Sequence, residues 1–272
     1  MEDALCVQFL QWATPVLRMR WQGFRRVRKQ VCKRIQRRID SLGLDDLAAY
    51  RRHLQTSPEE WAVLDGLLRV VVSRFYRDRK VFDELYHTLL PQRVNGIRAR
   101  GGNTLRVWCI GCASGEEPYS VALLWSHRPV KQRQGYALHI LATDSDAYLL
   151  QRAEKACYPY GAIKALPGEW RETDFEMRAD EYCLREEFKR PVQFALHDIR
   201  TPFSYGQFDL LFCRNLAFTY FDEAWQMDIL HELHQALETD GMLVIGAREV
   251  LPAGQRYFEQ MQGCRGVYRR RP

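Results

Sequence analysis

The stretch Arg106–Trp125, RVWCIGCASGEEPYSVALLW, decides the fold. It reads as an apolar strand, a turn carrying Gly111 and Gly115, and a helix that opens on Glu116 and Glu117, the first half of a βαβ unit. In a nucleotide-binding turn the helix N-terminus holds phosphate, because its free N–H groups and its dipole favour negative charge. Two glutamates at that place repel phosphate, so the ligand expected here is cationic or rich in hydroxyls.

Downstream of this unit the pattern repeats. Short apolar runs LRVWCI, LHILAT, VQFAL, FDLLFC and GMLVIG alternate with helical segments such as DAYLLQRAEKA and EAWQMDILHELHQAL. Strands alternating with helices predict a parallel sheet covered on both faces, an α/β class with a Rossmann-like sheet. Upstream, from about Ala13 to Leu90, the pattern is helical: Val27, Val31, Ile35 and Ile39 recur every four residues, and Gly43 supplies a stop. LDDLAAYRRHL and SPEEWAVLDGLLRVVV follow as further helices, the second with Ser57 as its cap and Pro58 in its first turn. RVNGIRARGGNT has little to bury and reads as a linker. The expected organisation is a basic helical domain over 1–91, a linker over 92–103 and the α/β domain over 104–272.

The chain carries a formal net charge of +6, and that charge belongs to one segment. Arg18, Arg20, Arg25, Arg26, Arg28, Lys29, Lys33, Arg34, Arg37 and Arg38 follow one another with no acid between them, which leaves the rest of the chain net acidic. A field of that strength attracts an acidic partner, protein or nucleic acid, unless the run is only a solvated helix face. No apolar run approaches the roughly 20 residues of a membrane span, and the first eleven residues lack the form of a secretory signal, so a cytoplasmic protein without membrane insertion is expected. The eight cysteines are scattered, several in strand-like runs, as buried reduced thiols would be. Cys109 and Cys112 form a C-x-x-C, but no second ligand pair follows at finger spacing, and no metal is expected.

In such a sheet a ligand lies beyond the carboxyl ends of the strands. Four ends carry polar or glycine-rich segments: GCASGEEP after the first run, Asp144 in LATDSD after the second, Asp198 in HDIRTPF after the third, and CRNLAFTYFD after the fourth. Each alone also fits ordinary capping or loop chemistry. Their recurrence at successive strand ends points to one site.

These residues, with RRIDSLGLDDLAAYRRHL, FYRDRKVFDEL, ATDSDAYLLQRAEKACYP and LETDGMLVIGAREVLP, closely resemble the CheR-type chemoreceptor glutamate methyltransferases, which use S-adenosylmethionine. The resemblance implies a Rossmann-like methyltransferase sheet with a small N-terminal helical domain. It implies that Arg77 meets the methionine carboxylate, that Gly111, Ala113 and Glu116 surround its backbone and amino group, and that Asp144 takes the ribose hydroxyls. Asp198 and Ile199 would flank adenine, Asn215 and Leu216 would line the wall near the methyl, and Arg214 and Tyr220 would face the substrate. Arg77 or Arg214 would steer the acceptor carboxylate, and Tyr220 would hold the methyl in line. The basic segment Arg18 to Arg38 would meet an acidic protein, as in the family it lies against receptor helices.

Three departures stand out. RNLAFTYF is one residue longer than the family's spacing, which opens Phe218 or Thr219 as alternatives to Tyr220. Ser73 stands where the family has a threonine. The stretch from Cys157 to Arg190, where the family carries a small β-subdomain that grips a receptor tail, is short. Two other readings remain: the same fold acting on a small molecule or nucleic acid, and a non-catalytic sensor of the cofactor. Against base methylation, the fourth run is followed by Arg-Asn-Leu-Ala-Phe and not by the Asn/Asp-Pro-Pro-aromatic run used on an extruded base.

Overall fold

A computed structural model of the chain describes residues 2–204 and 206–272; Met1, the first residue of the expected helical domain, lies outside them. The chain divides into two compact units, one of Met1–Val72 with Thr219–Gln226 and one of Ser73–Phe218 with Met227–Pro272.

The larger unit is built on strands β1 (Thr104–Ile110), β2 (Ala137–Asp144), β3 (Cys157–Tyr158), β4 (Phe175–Arg178), β5 (Glu181–Leu184), β6 (Val192–Leu196), β7 (Phe208–Cys213), β8 (Leu237–Ile245), β9 (Phe258–Gln260) and β10 (Val267–Arg270). Seven of them form a sheet in the order β6-β2-β1-β7-β8-β10-β9. The pairs from β6 through β8 are parallel, and β10 runs antiparallel between β8 and β9. All five apolar runs are therefore strands of one sheet. β7 is buried at every position, as expected of a strand covered on both faces. The order reverses at β1, with β2 on one side and β7 on the other, so the crevice of a doubly wound sheet opens where the glycine turn begins.

The stretch expected as a linker is mostly helix: Leu90–Ala99 is helical and buries Arg93, Val94 and Ile97. The reason lies in Asp209, a fully buried acid on β7, which takes Arg100 at 2.6 Å, Arg93 at 3.4 Å and the Arg106 N–H at 2.9 Å. Paired inside the unit, these arginines anchor a segment whose glycines and charges resembled a hinge. The boundary falls instead at Val72–Ser73, after the run Val70, Val71 and Val72, which does not continue the preceding helix. That β-branched run favours extended backbone.

The smaller unit holds α1 (Asp3–Val16), α2 (Trp21–Phe24), α3 (Arg28–Ser41), α4 (Leu47–Thr56) and α5 (Glu60–Leu68). The α3 stripe is real: Val31, Ile35 and Ile39 are buried, and Gly43 turns the chain at φ 66°. Asp46 caps α4 through the Ala49 N–H at 2.7 Å. Ser57 does not cap α5, which begins at Glu60; its hydroxyl faces His53 Nδ1 at 3.4 Å. Residues of the segment 219–226 join this unit directly: Met19 bridges Phe221, Arg20 donates its N–H to the Tyr220 carbonyl at 2.9 Å, and Arg18 pairs with Asp222 at 3.3 Å.

One expectation about the cysteines needs correction. Four cysteines read as reduced thiols are paired, Cys6 with Cys32 and Cys157 with Cys183, because α1 packs on α3 and because Cys157 lies directly opposite Cys183 in the β3–β5 register. The segment from Cys157, short as it is, still folds into a separate three-stranded antiparallel sheet, β3-β5-β4. Among the described residues no helix is long and apolar enough to cross a membrane.

Candidate active site

At the end of β1 the backbone alternates into the left-handed region at Gly111 (φ 70°), Ala113 (φ 51°) and Gly115 (φ 90°). A Cβ on Gly111 would stand 2.7 Å from Leu216 Cδ2, so only glycine admits Leu216 over the turn. The Gly111 and Cys112 N–H groups donate to the Thr143 carbonyl at 2.8 and 2.9 Å, and the Ala113 N–H donates to Asp144 Oδ2 at 2.8 Å. Asp144 also accepts the Asp146 N–H on Oδ1 at 3.0 Å. The expected ribose-binding acid thus holds the turn and stands at the end of β2 beside it. Below the turn Tyr158 donates to the Ser114 carbonyl at 2.7 Å.

The helix that follows, α8 (Glu116–Ser126), begins on the two acids, and the structure gives them different work. Glu116 is 5% exposed and its Oε2 has no hydrogen-bond partner among the described residues. Burial pushes its carboxyl above the ordinary range, against a hydrogen bond from Ser73 that favours the charged form. A buried carboxylate oxygen without a donor is costly, and it suits a site completed by a cation. Glu117 is also raised by burial, with Arg214 and then Arg77 opposing that shift.

Arg214, at the end of β7, is 7% exposed, and both of its terminal nitrogens are engaged while its Nε has no hydrogen-bond partner among the described residues. It reaches Glu117 at 2.7 Å, Asp78 at 2.8 Å and the Arg77 carbonyl at 2.7 Å, above the Phe82 ring. Tyr76 (φ 54°) and Asp78 (φ 62°) are left-handed without being glycine, so this clamp holds the FYRD turn in a shape that its own residues resist. Two acids and two arginines, Arg77 and Arg214, therefore gather within one unit. An Arg214 held this way orients the FYRD turn, and steering an acceptor carboxylate would require it to give up its partners.

Asn215 is left-handed (φ 56°), its Oδ1 is buried without a hydrogen-bond partner among the described residues, and Leu216 follows it over Gly111. Asp198 and Ile199 are half-buried beyond β6; both Asp198 oxygens accept from the Arg200 guanidinium, at 2.9 and 2.6 Å. The structure thus brings Ser73, Arg77, Gly111, Ala113, Glu116, Asp144, Arg214, Asn215 and Leu216 together through direct contacts or adjacent strand ends. Tyr220 belongs to the other compact unit, where its ring packs on Phe24 at 5.0 Å between centroids, and the alternative Phe218 is buried. Cys109 and Cys112 are buried and their thiols are held well above the ordinary range by desolvation, as packing residues are.

Sequence reasoning named Glu117 only as a helix-start acid that repels phosphate, and gave no role to Asp78 or Glu249. Glu117 and Asp78 are adjacent to assigned residues. Glu249 follows β8, the fifth apolar run, in a segment that carries no pattern of its own.

Residues 71–267 match the family model described as CheR methyltransferase, SAM binding domain. The chain is 30% identical over 228 residues to a chemotaxis protein methyltransferase of Borreliella burgdorferi, covering 80% of each chain. It is 33% identical over 184 residues to one of Listeria monocytogenes, covering 68% of this chain and 67% of that one. An uncharacterised 104.1 kDa protein of Rhodobacter capsulatus is 30% identical over 238 residues, where this chain spans 88% of itself but only 25% of the longer protein.

Proposed function

This chain belongs to the CheR methyltransferase family, and on that premise we propose that it methylates glutamate side chains of a protein, those of chemoreceptor-like helices. S-adenosylmethionine is its cofactor and supplies, when bound, a methyl group on a positively charged sulfur. The observation that carries the reading is the buried, half-satisfied Glu116 carboxylate at a helix start, which fits an ammonium and disfavours phosphate.

On this reading Glu116, backed by Ser73, takes the cofactor's amino group; Gly111 and Ala113 give it close backbone approach; Asp144 takes the ribose hydroxyls. Arg77 meets the methionine carboxylate, Asp198 and Ile199 flank the adenine, and Asn215 and Leu216 wall the reacting end. A glutamate acceptor is already an anion at neutral pH, so the protein's task is to align it within about 3 to 3.5 Å and to exclude water, with no general base. Arg77 or Arg214 steers the acceptor carboxylate, Arg214 also holds the FYRD turn, and Tyr220 is assigned the alignment of the methyl.

The acidic partner meets the basic segment. Of its ten cations, Arg28 pairs with Asp3, Arg34 donates to the Leu67 and Arg69 carbonyls, Arg38 holds buried Glu60, Arg18 pairs with Asp222, and Arg20 donates to the Thr219 carbonyl. Arg25, Arg26, Lys29, Lys33 and Arg37 remain exposed, and Lys29, Lys33 and Arg37 form one stripe along α3. Such a stripe suits the acidic face of a helix. A cytoplasmic location goes with that partner.

The test incubates the protein with labelled S-adenosylmethionine and cell extract. Release of transferred label by mild base marks a methyl ester on a carboxylate. Label stable to base points to another acceptor, and cofactor binding without any transfer points to a sensor.

A further inference from the structure

Glu249 lies in the loop after β8, in GAREVLP, and is 8% exposed. One of its oxygens, Oε2, accepts two main-chain N–H groups, that of Gly246 at 2.6 Å and that of Asn215 at 2.8 Å. The loop closes on itself as well, since the Glu249 N–H donates to the Gly246 carbonyl at 2.9 Å. There is no slack in this knot: a Cβ on Gly246 would stand 2.5 Å from Asn215 Nδ2 and 2.7 Å from Glu249 Oε2.

The residue gripped in this way is the one that needs it. Asn215 holds a left-handed backbone without being glycine, which costs about 1 kcal/mol or more unless its surroundings impose it. It sits between Arg214, fixed from the other side by Glu117 and Asp78, and Leu216, which overhangs Gly111 with no room to spare. A charge-assisted hydrogen bond from the Asn215 N–H therefore sets the direction of the Asn215 side chain, whose Oδ1 is buried without a partner among the described residues, and the height of Leu216 above the turn.

We propose that Glu249 is a positioning residue for methyl transfer, fixing the Asn215–Leu216 wall through the Asn215 main-chain N–H; the inference rests on the function proposed above. Its effect is on alignment rather than affinity, because the groups assigned to the cofactor's charged and hydroxyl parts, Glu116, Arg77 and Asp144, are held by other contacts. An error of the order of 1 Å at the reacting atoms costs roughly 100-fold in rate.

Glu249→Ala should lower kcat roughly 10- to 100-fold while the Kd for S-adenosylhomocysteine stays within about 3-fold. Amide exchange should quicken at Asn215 while Leu210 to Cys213 in β7 stay protected. Glu249→Gln keeps a carbonyl oxygen for both N–H groups and should regain most of the rate, and Gly246→Ala, which pushes the carboxylate aside, should repeat the loss if Glu249→Ala does not fold. A wild-type kcat in Glu249→Ala, or kcat, cofactor affinity and melting temperature falling together in both Glu249→Ala and Gly246→Ala, overturns the proposal. If the native protein binds S-adenosylhomocysteine yet transfers no methyl, the proposed function fails separately; the Asn215 amide then decides, a protected one in Glu249→Ala overturning the hold and an exposed one supporting it.

Discussion

Replacing Glu116 by glutamine should move stability and affinity in opposite directions. The free protein keeps a carboxyl group 5% exposed with one oxygen unpartnered, and burial raises its pKa. A raised folded pKa means that the folded chain holds the proton more tightly than the unfolded chain does. The stability this group contributes is therefore present below the ordinary carboxyl range and is lost as pH rises through the raised value. Glutamine never carries the charge, so at pH 7 Glu116→Gln should stabilise the free protein by about 1 kcal/mol, the lower end of the cost of a buried unsatisfied group, and the gain should vanish toward pH 4. Affinity goes the other way. A hydrogen bond to a charged partner contributes about 1.5 to 3 kcal/mol, so the Kd for S-adenosylmethionine should rise roughly 10- to 150-fold. In the native protein the Kd should tighten as pH rises through the carboxyl's raised range, and in Glu116→Gln it should be flat there. Calorimetric titration at several pH values and urea unfolding of both proteins read these effects. Loss of stability together with unchanged affinity would falsify the assignment of Glu116 to the ammonium.

Arg214→Met should cost about 3 kcal/mol in urea unfolding, mainly through Glu117, since the Asp78 side chain is 31% exposed and its pair contributes little. Adding Glu117→Gln should recover part of that loss, and strictly additive effects would show that the two are not coupled. Changing Arg26, Lys29, Lys33 and Arg37 together to glutamine should weaken acceptor binding by about 1 to 2 kcal/mol, seen as a higher KM with a flatter salt dependence and no change in cofactor affinity; a KM indifferent to salt in the native protein speaks against docking on α3. Tyr220→Phe should lower kcat and kcat/KM alike, roughly 3- to 10-fold for one lost hydrogen bond, and wild-type turnover would withdraw Tyr220 from the reaction.

The parallel sheet was legible because each central strand is a short apolar run bounded by a turn, a pattern that burial on both faces demands. β9 and β10 were not: FEQ and VYRR lie on the antiparallel flank of the sheet, where short length and exposed charge erase the alternation. That the helix start disfavours phosphate could be read from the neighbours Glu116 and Glu117 alone, whereas the choice of Glu116 for an amino group came from the resemblance. The engagement of Arg214 could not, because Glu117 and Asp78 lie 97 and 136 residues away in sequence. Arg93 and Arg100 misled for the same reason: among glycines they look like a hinge, and only the fold brings Asp209 to them.

The smaller unit is assembled from two pieces of chain, Met1–Val72 and the returning segment Thr219–Gln226, and this makes it a poor exchangeable part. Trading the first 72 residues for those of a relative would leave Phe221, Asp222 and the Tyr220 carbonyl to meet a foreign Met19, Arg18 and Arg20. Gly23 sharpens the constraint, because a Cβ there would stand 2.3 Å from the Thr219 carbonyl oxygen. An exchange of the amino-terminal helices would therefore have to re-match their contacts with Thr219–Gln226, a segment that lies within the stretch matched by the methyltransferase domain model.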